Sequence, residues 1–314
     1  MRKAMAFVWL VTVLLGAGSW ALWTSDIDRP TLEAKYLASP GDMVTVLGNS
    51  LHVRDSAPQA APDKPVLLLV HGFGASLHTW DVWTAQLSQH FRVLRVDLPG
   101  SGLSAPDAHG DYTDTRTIAL LLALMDQRGI ARASFIGHSI GGRIAWTLAA
   151  NHPARVDKLV LLAPDGFASP GFAYGSAPEV PATMGVMRYT LPRWMLRSNL
   201  LLAYADPATL SDDLLTRYYE LMLAPGSRAA LLVRMQQTVL VDPVPLLRRI
   251  TAPTLLVWGR QDGMIPFANS ADYQREIPRN TLLELDNMGH LPHEESPQRA
   301  LPAVEKFLLE PYHG

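Results

Sequence analysis

The chain of 314 residues is 48% hydrophobic and carries 27 Lys and Arg against 29 Asp and Glu, a net charge of -2. That apolar content can fill a sizeable core, and a near-neutral surface with no long basic run does not suit a nucleic-acid backbone. With no cysteine, a disulfide framework, a zinc-thiolate site and a cysteine nucleophile are all excluded.

Elements follow in chain order. After Arg2 and Lys3, the run from Ala4 to Trp23 holds 20 residues without a charge. A helix of that length, at about 1.5 Å per residue, spans the roughly 30 Å hydrocarbon layer. The basic flank predicts a cytoplasmic N-terminus, and Trp20 and Trp23 fall at the far interface. The small residues Ala17, Ser19 and Ala21 also fit a cleaved signal peptide, although the apolar run exceeds the usual length. Either way the rest of the chain is expected on the periplasmic or extracellular side. A Thr12-xxx-Gly16 spacing would permit helix pairing and hence a homodimer.

Residues 24–39 read as a charged juxtamembrane segment. "MVTVLGNSLHVRDS" predicts two short strands around a turn at Gly48-Asn49. From Pro65 the pattern becomes strand, helix, strand: "VLLLV", "TWDVWTAQLSQH", "RVLRVD". An amphipathic helix follows, with Ile118, Leu121, Leu122 and Met125 on one face and Gly129 as its stop. Then come "ASFIGH" (strand), "IGGRIAWTLAANHP" (helix) and "VDKLVLLAP" (strand). Continuous Val/Leu runs between helices predict a mostly parallel sheet covered on both faces. The alternation lapses over residues 166–243, which are rich in Leu, Met, Pro and aromatic residues. It resumes with "TLLVWGR", a helix near residues 267–277, "TLLELDN" and a last helix over 297–309. The organisation predicted is an anchor (1–23), a juxtamembrane segment (24–39), an α/β core (40–165 and 244–314) and a helical cap (166–243).

Gly137-His138-Ser139-Ile140-Gly141 fits G-x-S-x-G, with a strand before it and a helix after it. A serine there sits on a sharp turn that exposes its hydroxyl, and small neighbours let backbone approach. Asp262 and His290 each follow a predicted strand, at the sheet edge where ligands bind. Serine alone is a weak nucleophile. His290 would take its proton, and Asp262 would hold the imidazole in the required tautomer. Asp165, which also follows a strand, is the rival acid, and His293 fits a supporting or surface role better than that of the base. In "HGFGAS" the glycines let amides face a substrate oxygen, so the N–H groups of Phe73 and Ile140 would form an oxyanion hole. Neither an H-x-x-x-H pair nor an acidic ligand array is present, so no metal or other cofactor is expected.

"LLLVHGFGASLHTW", "RVDLPGSGLS", "FIGHSIGGRIAWTLAANHPARVDKLVLLAP", "LLVWGRQDGMIP" and "NMGHLPHEESPQ" occur in this order. Over about residues 43–309 the chain thereby resembles the α/β-hydrolase superfamily. The resemblance implies that fold, a Ser139, Asp262, His290 triad and oxyanion amides at Phe73 and Ile140. Serine at the elbow is unlike the aspartate of epoxide hydrolases and haloalkane dehalogenases. The apolar N-terminus and cap resemble bacterial membrane-anchored esterases and phospholipases more loosely.

Selectivity is expected in the cap, where "MGVMRYTLPRWMLRSNLLLAYA" supplies Trp194 and Met195 as pocket residues beside His138 of the elbow. Most of its apolar residues simply pack; flexible Met and Leu above a serine also suit an acyl chain. The expected reaction is hydrolysis of medium- to long-chain acyl esters or phospholipids near a membrane, with a small-molecule or lipid ester as partner. Two alternatives are carbon-carbon bond hydrolysis of an aromatic ring-cleavage product and a non-catalytic binding role on the same fold.

Overall fold

The structure is a computed structural model, and it describes residues 23–57, 64–168 and 173–311. Thr12, Gly16 and nearly all of the apolar run at 4–23 lie outside these residues. Among the described residues no helix is long and apolar enough to cross a membrane.

The chain opens with helix α1 (Arg29–Tyr36), followed by strands β1 (Met43–Val46), β2 (Asn49–Asp55) and β3 (Val66–Val70). Next come α2 (Asp81–Leu87), β4 (Arg92–Val96), α3 (Asp114–Gln127), β5 (Ala133–His138), α4 (Ile140–Asn151) and β6 (Val156–Leu162). Helices α5 (Arg193–Leu201), α6 (Asp212–Met222), α7 (Ser227–Gln237) and α8 (Val244–Leu247) separate β6 from β7 (Thr254–Gly259). The chain then runs through α9 (Asn269–Glu276), β8 (Asn280–Leu285), α10 (Pro292–Glu295) and α11 (Pro297–Leu309).

The eight strands form one sheet in the order β1-β2-β4-β3-β5-β6-β7-β8. Strand β2 runs antiparallel to both β1 and β4, and the strands from β3 to β8 are parallel. Because side chains alternate along a strand, Leu68 and Val70 join one core with α3, α4 and α9. Leu67 and Leu69 join the other, with Trp83 of α2 and Leu301 and Val304 of α11. Both faces are therefore covered, which explains the uninterrupted apolar runs.

Two local expectations shift. The first hairpin turns at Leu47-Gly48, one residue earlier than predicted: Val46 pairs with Asn49, and both turn residues have positive φ, 46° and 82°. A type I′ turn needs that conformation at both central positions, and here a leucine adopts one of them. On α3, Leu124 is fully buried and Leu122 only partly, so the core face is rotated slightly from the predicted stripe.

Residues between β6 and β7 form the insertion over the C-terminal edge of the sheet, referred to below as the cap. Its own apolar cluster (Leu196, Ala203, Tyr204, Leu210, Leu215, Tyr218) takes in Ala75 and Leu291 from core loops. The chain reaches α1 across the same region. Trp23 stacks on Tyr189, Thr24 N–H donates to Tyr189 O at 2.8 Å, and Thr24 Oγ1 accepts from Leu191 N–H at 3.1 Å.

Candidate active site

Ser139 ends β5 and precedes α4 with φ 54° and ψ -121°. A non-glycine residue held there stores about 1–3 kcal/mol of strain, which only the surroundings can maintain. Ser139 N–H donates to Leu162 O at 3.0 Å, and Ser139 O accepts from Arg143 N–H at 3.0 Å and Asp165 N–H at 3.1 Å. Glycine is required beside it by close approach. A Cβ on Gly137 would lie 2.4 Å from Gly141 O, and one on Gly141 2.4 Å from Val70 O.

Asp262 and His290 follow the ends of β7 and β8. His290 Nδ1–H donates to Asp262 Oδ2 at 2.8 Å, with the Asp262 carboxylate fully buried. Asp262 Oδ1 accepts from the N–H groups of Met264 and Ile265, both at 2.8 Å. With its lone pairs so engaged the carboxylate cannot turn away, and the imidazole is left with Nε2 as its acceptor. Ser139, His138 and His290 line one cavity of about 330 Å³ together with Phe73 and Gly74. Ile140 opens α4, so its N–H has no acceptor within the helix.

The rival acid is engaged elsewhere. Asp165 Oδ2 accepts from Arg143 Nη1 at 2.5 Å, and Arg143 also binds both oxygens of Asp114. His138 and His293 are both buried, and their rings lie 4.7 Å apart. Burial, with neighbouring histidines adding to it, holds both well below the usual imidazole range, so they are neutral. His138 Nε2–H donates to His290 O at 2.9 Å, and His293 Nε2 bonds Thr79 Oγ1 at 2.9 Å. His138 thus braces the loop of His290 directly, and His293 ties the turn after it to Thr79.

The rest of the cavity wall is apolar and rich in thioethers: Met184, Met187, Met195, Met222, Met235 and Met264, six of the chain's 11 methionines. No Lys, Arg, Asp or Glu occurs in this lining. Met195 is in the wall, whereas Trp194 is outside it, 68% exposed. Met195 and Asn199, four residues apart on α5, share the face that meets the cavity; Trp194 is turned about 100° away from Met195. That rotation keeps the predicted pair, Trp194 and Met195, from facing the cavity together. Asn199, Tyr218 and Leu291 also line it, and their scatter across three elements gave the sequence no local signal. Among the described residues no cluster of three His, Asp or Glu is placed to hold a metal ion.

The family model for the alpha/beta hydrolase fold matches residues 65–297. The chain belongs to this family. A 2-hydroxymuconate semialdehyde hydrolase of Pseudomonas putida is 30% identical over 77% of this chain and 86% of its own length. The crystal structure of an enol-lactonase from Burkholderia xenovorans superposes with a TM-score of 0.73 at 27% identity, covering 85% of this chain and all of that one (100%). A bacterial membrane phospholipase A shares the fold over 98% of this chain and 97% of its own, with a TM-score of 0.72 and 24% identity. Proteins similar to this hydrolase thus carry different named activities, and the fold alone does not fix the substrate.

Proposed function

We propose that this hydrolase cleaves carboxylic esters through an acyl-enzyme on Ser139. The observation that carries the reading is what one cavity brings together: a serine in strained backbone and an imidazole whose Nδ1–H is fixed on a buried carboxylate. His290 Nε2 takes the Ser139 proton as Oγ attacks the ester carbonyl. The N–H groups of Phe73 and Ile140 stabilise the oxyanion, and the same imidazole then protonates the leaving alcohol. Water, deprotonated by His290, releases the acid and restores Ser139.

For the substrate we favour medium- to long-chain acyl esters, including those of lipids. A cavity of about 330 Å³ walled by six methionines and several leucines accommodates a flexible alkyl chain. Ring-cleavage products are carboxylate-bearing, and a lining without Lys or Arg offers that charge no counter-ion. In this reading the cap sets chain-length selectivity. The uncharged run from Ala4 to Trp23 tethers the enzyme to a membrane, with its catalytic part outside the cytoplasm.

The test compares wild type with Ser139→Ala on p-nitrophenyl esters of graded chain length, on phospholipid vesicles and on a ring-cleavage dienoate. Activity should peak at medium or long chains, vanish in the variant and be absent on the dienoate. Hydrolysis retained by Ser139→Ala would overturn the acyl-enzyme reading, and wild-type activity restricted to acetate esters would overturn the lipid reading. Wild type, but not the variant, should be labelled by a fluorophosphonate.

A further inference from the structure

The loop that carries His290 is held as much by the cap as by the sheet. His290 N–H donates to Ala203 O at 2.7 Å. The backbone passes so close that a Cβ on Gly289 would lie 2.3 Å from Ala203 O and 2.7 Å from Ala205 N. Across the same junction the buried carboxylate of Glu295 accepts two backbone N–H groups, one on each oxygen. Gly289 N–H reaches Oε2 at 2.7 Å, and Asp206 N–H reaches Oε1 at 2.8 Å. One donor precedes the base by a residue and the other belongs to the cap.

Its neighbour Glu294 turns the other way into the cap. Tyr218 O–H, from a ring in the cavity wall, donates to Glu294 Oε2 at 2.7 Å, and Arg217 Nη2 donates to Oε1. The acid loop meets the same cap segment, since a Cβ on Gly263 would lie 2.8 Å from Leu202 O. Residues 202–206 therefore form a strap that touches the loops of both His290 and Asp262.

We propose that Glu295 is a positioning residue for the general base, coupling the cap strap to His290 through its two backbone bonds. The inference rests on the acyl-enzyme reading above. Near-attack geometry tolerates little displacement, and an error of about 1 Å costs on the order of 100-fold in rate. Glutamine at 295 has only one oxygen, so one of the two N–H groups would face an amide NH₂ and lose its acceptor. The strap and the base loop could then separate.

The experiment is Glu295→Gln assayed on p-nitrophenyl hexanoate, beside wild type and Ser139→Ala, with circular dichroism to confirm folding. We expect kcat to fall about 100-fold, with KM within about twofold because Glu295 is not in the cavity lining. Folded Glu295→Gln with wild-type kcat overturns the proposal. So does a lowered kcat matched by a KM raised several-fold, which would leave Glu295 a structural residue alone. Should glutamine prevent folding, Glu295→Asp, one methylene shorter, is read by the same two criteria. Activity surviving in Ser139→Ala would instead strike at the nucleophile.

Discussion

The two sides of this active site are held in different ways. On the nucleophile side everything is core: β5, Ser139 and α4 are consecutive, and the fit comes from glycines pressed against strand backbone. On the His290 side the cap takes part, through Ala203 bonding His290 and through Asp206 and Tyr218 bonding the two glutamates of α10. The serine is therefore placed by the fold of the sheet, and the imidazole by the docking of one layer on another. Damage to the first should appear as lost stability, and damage to the second as lost rate in a folded protein.

Substitutions can break that contrast, and the largest effect belongs to the acid. Asp262→Asn should reduce kcat about 10⁴-fold, because an amide can pair with the wrong tautomer of His290; steady-state ester hydrolysis measures it, and a loss below tenfold would move the acid elsewhere. Gly141→Ala pushes a methyl into Val70 O and His71 O, neither of which can yield. Denaturant titration should show a loss of about 3 kcal/mol or more, or no folded protein at all. Gly289→Ala puts its methyl into the strap instead. Here kcat should fall on the order of 100-fold while the melting temperature drops less than in Gly141→Ala, and the reverse order would erase the distinction.

Acid should act mainly through the fold. His78, His138 and His293 are all pushed down by burial, His78 to about 4 from an ordinary 6.5. Between those values the unfolded chain binds protons that the native protein refuses. Stability is therefore intact above about pH 6.5 and declines as the pH falls toward 4, which thermal melts across that range would show. The smallest effect is expected at the rival acid. Asp165→Asn should weaken the ion pair with Arg143, at a cost of about 1–2 kcal/mol, and leave kcat within about threefold; a larger loss in rate would return Asp165 to the mechanism.

Much of this was legible in the sequence. The alternating sheet and helices, the break between β6 and β7, and the choice of Ser139, Asp262 and His290 as candidates all rest on patterns a few residues long. Each is stated by its own neighbours: Gly137 and Gly141 around the serine, a strand end before the acid and the base. Glu295 was not legible, because its cap donor lies 89 positions away at Asp206 and nothing in "HEES" says which glutamate turns toward the base. Trp194 was misplaced for a related reason. Composition marks a segment as apolar, and only the helix phase decides which of two adjacent side chains faces inward.

One detail at the start of the described chain bears on the shape of the cavity. Backbone bonding to the cap begins at Thr24, and its partners Tyr189 and Leu191 flank or form the cavity wall. Trp23 is already stacked on Tyr189. A displacement of Trp23 and Thr24 would therefore reach Tyr189 and Leu191 directly, so the start of the described chain and one edge of the cavity wall are mechanically one element.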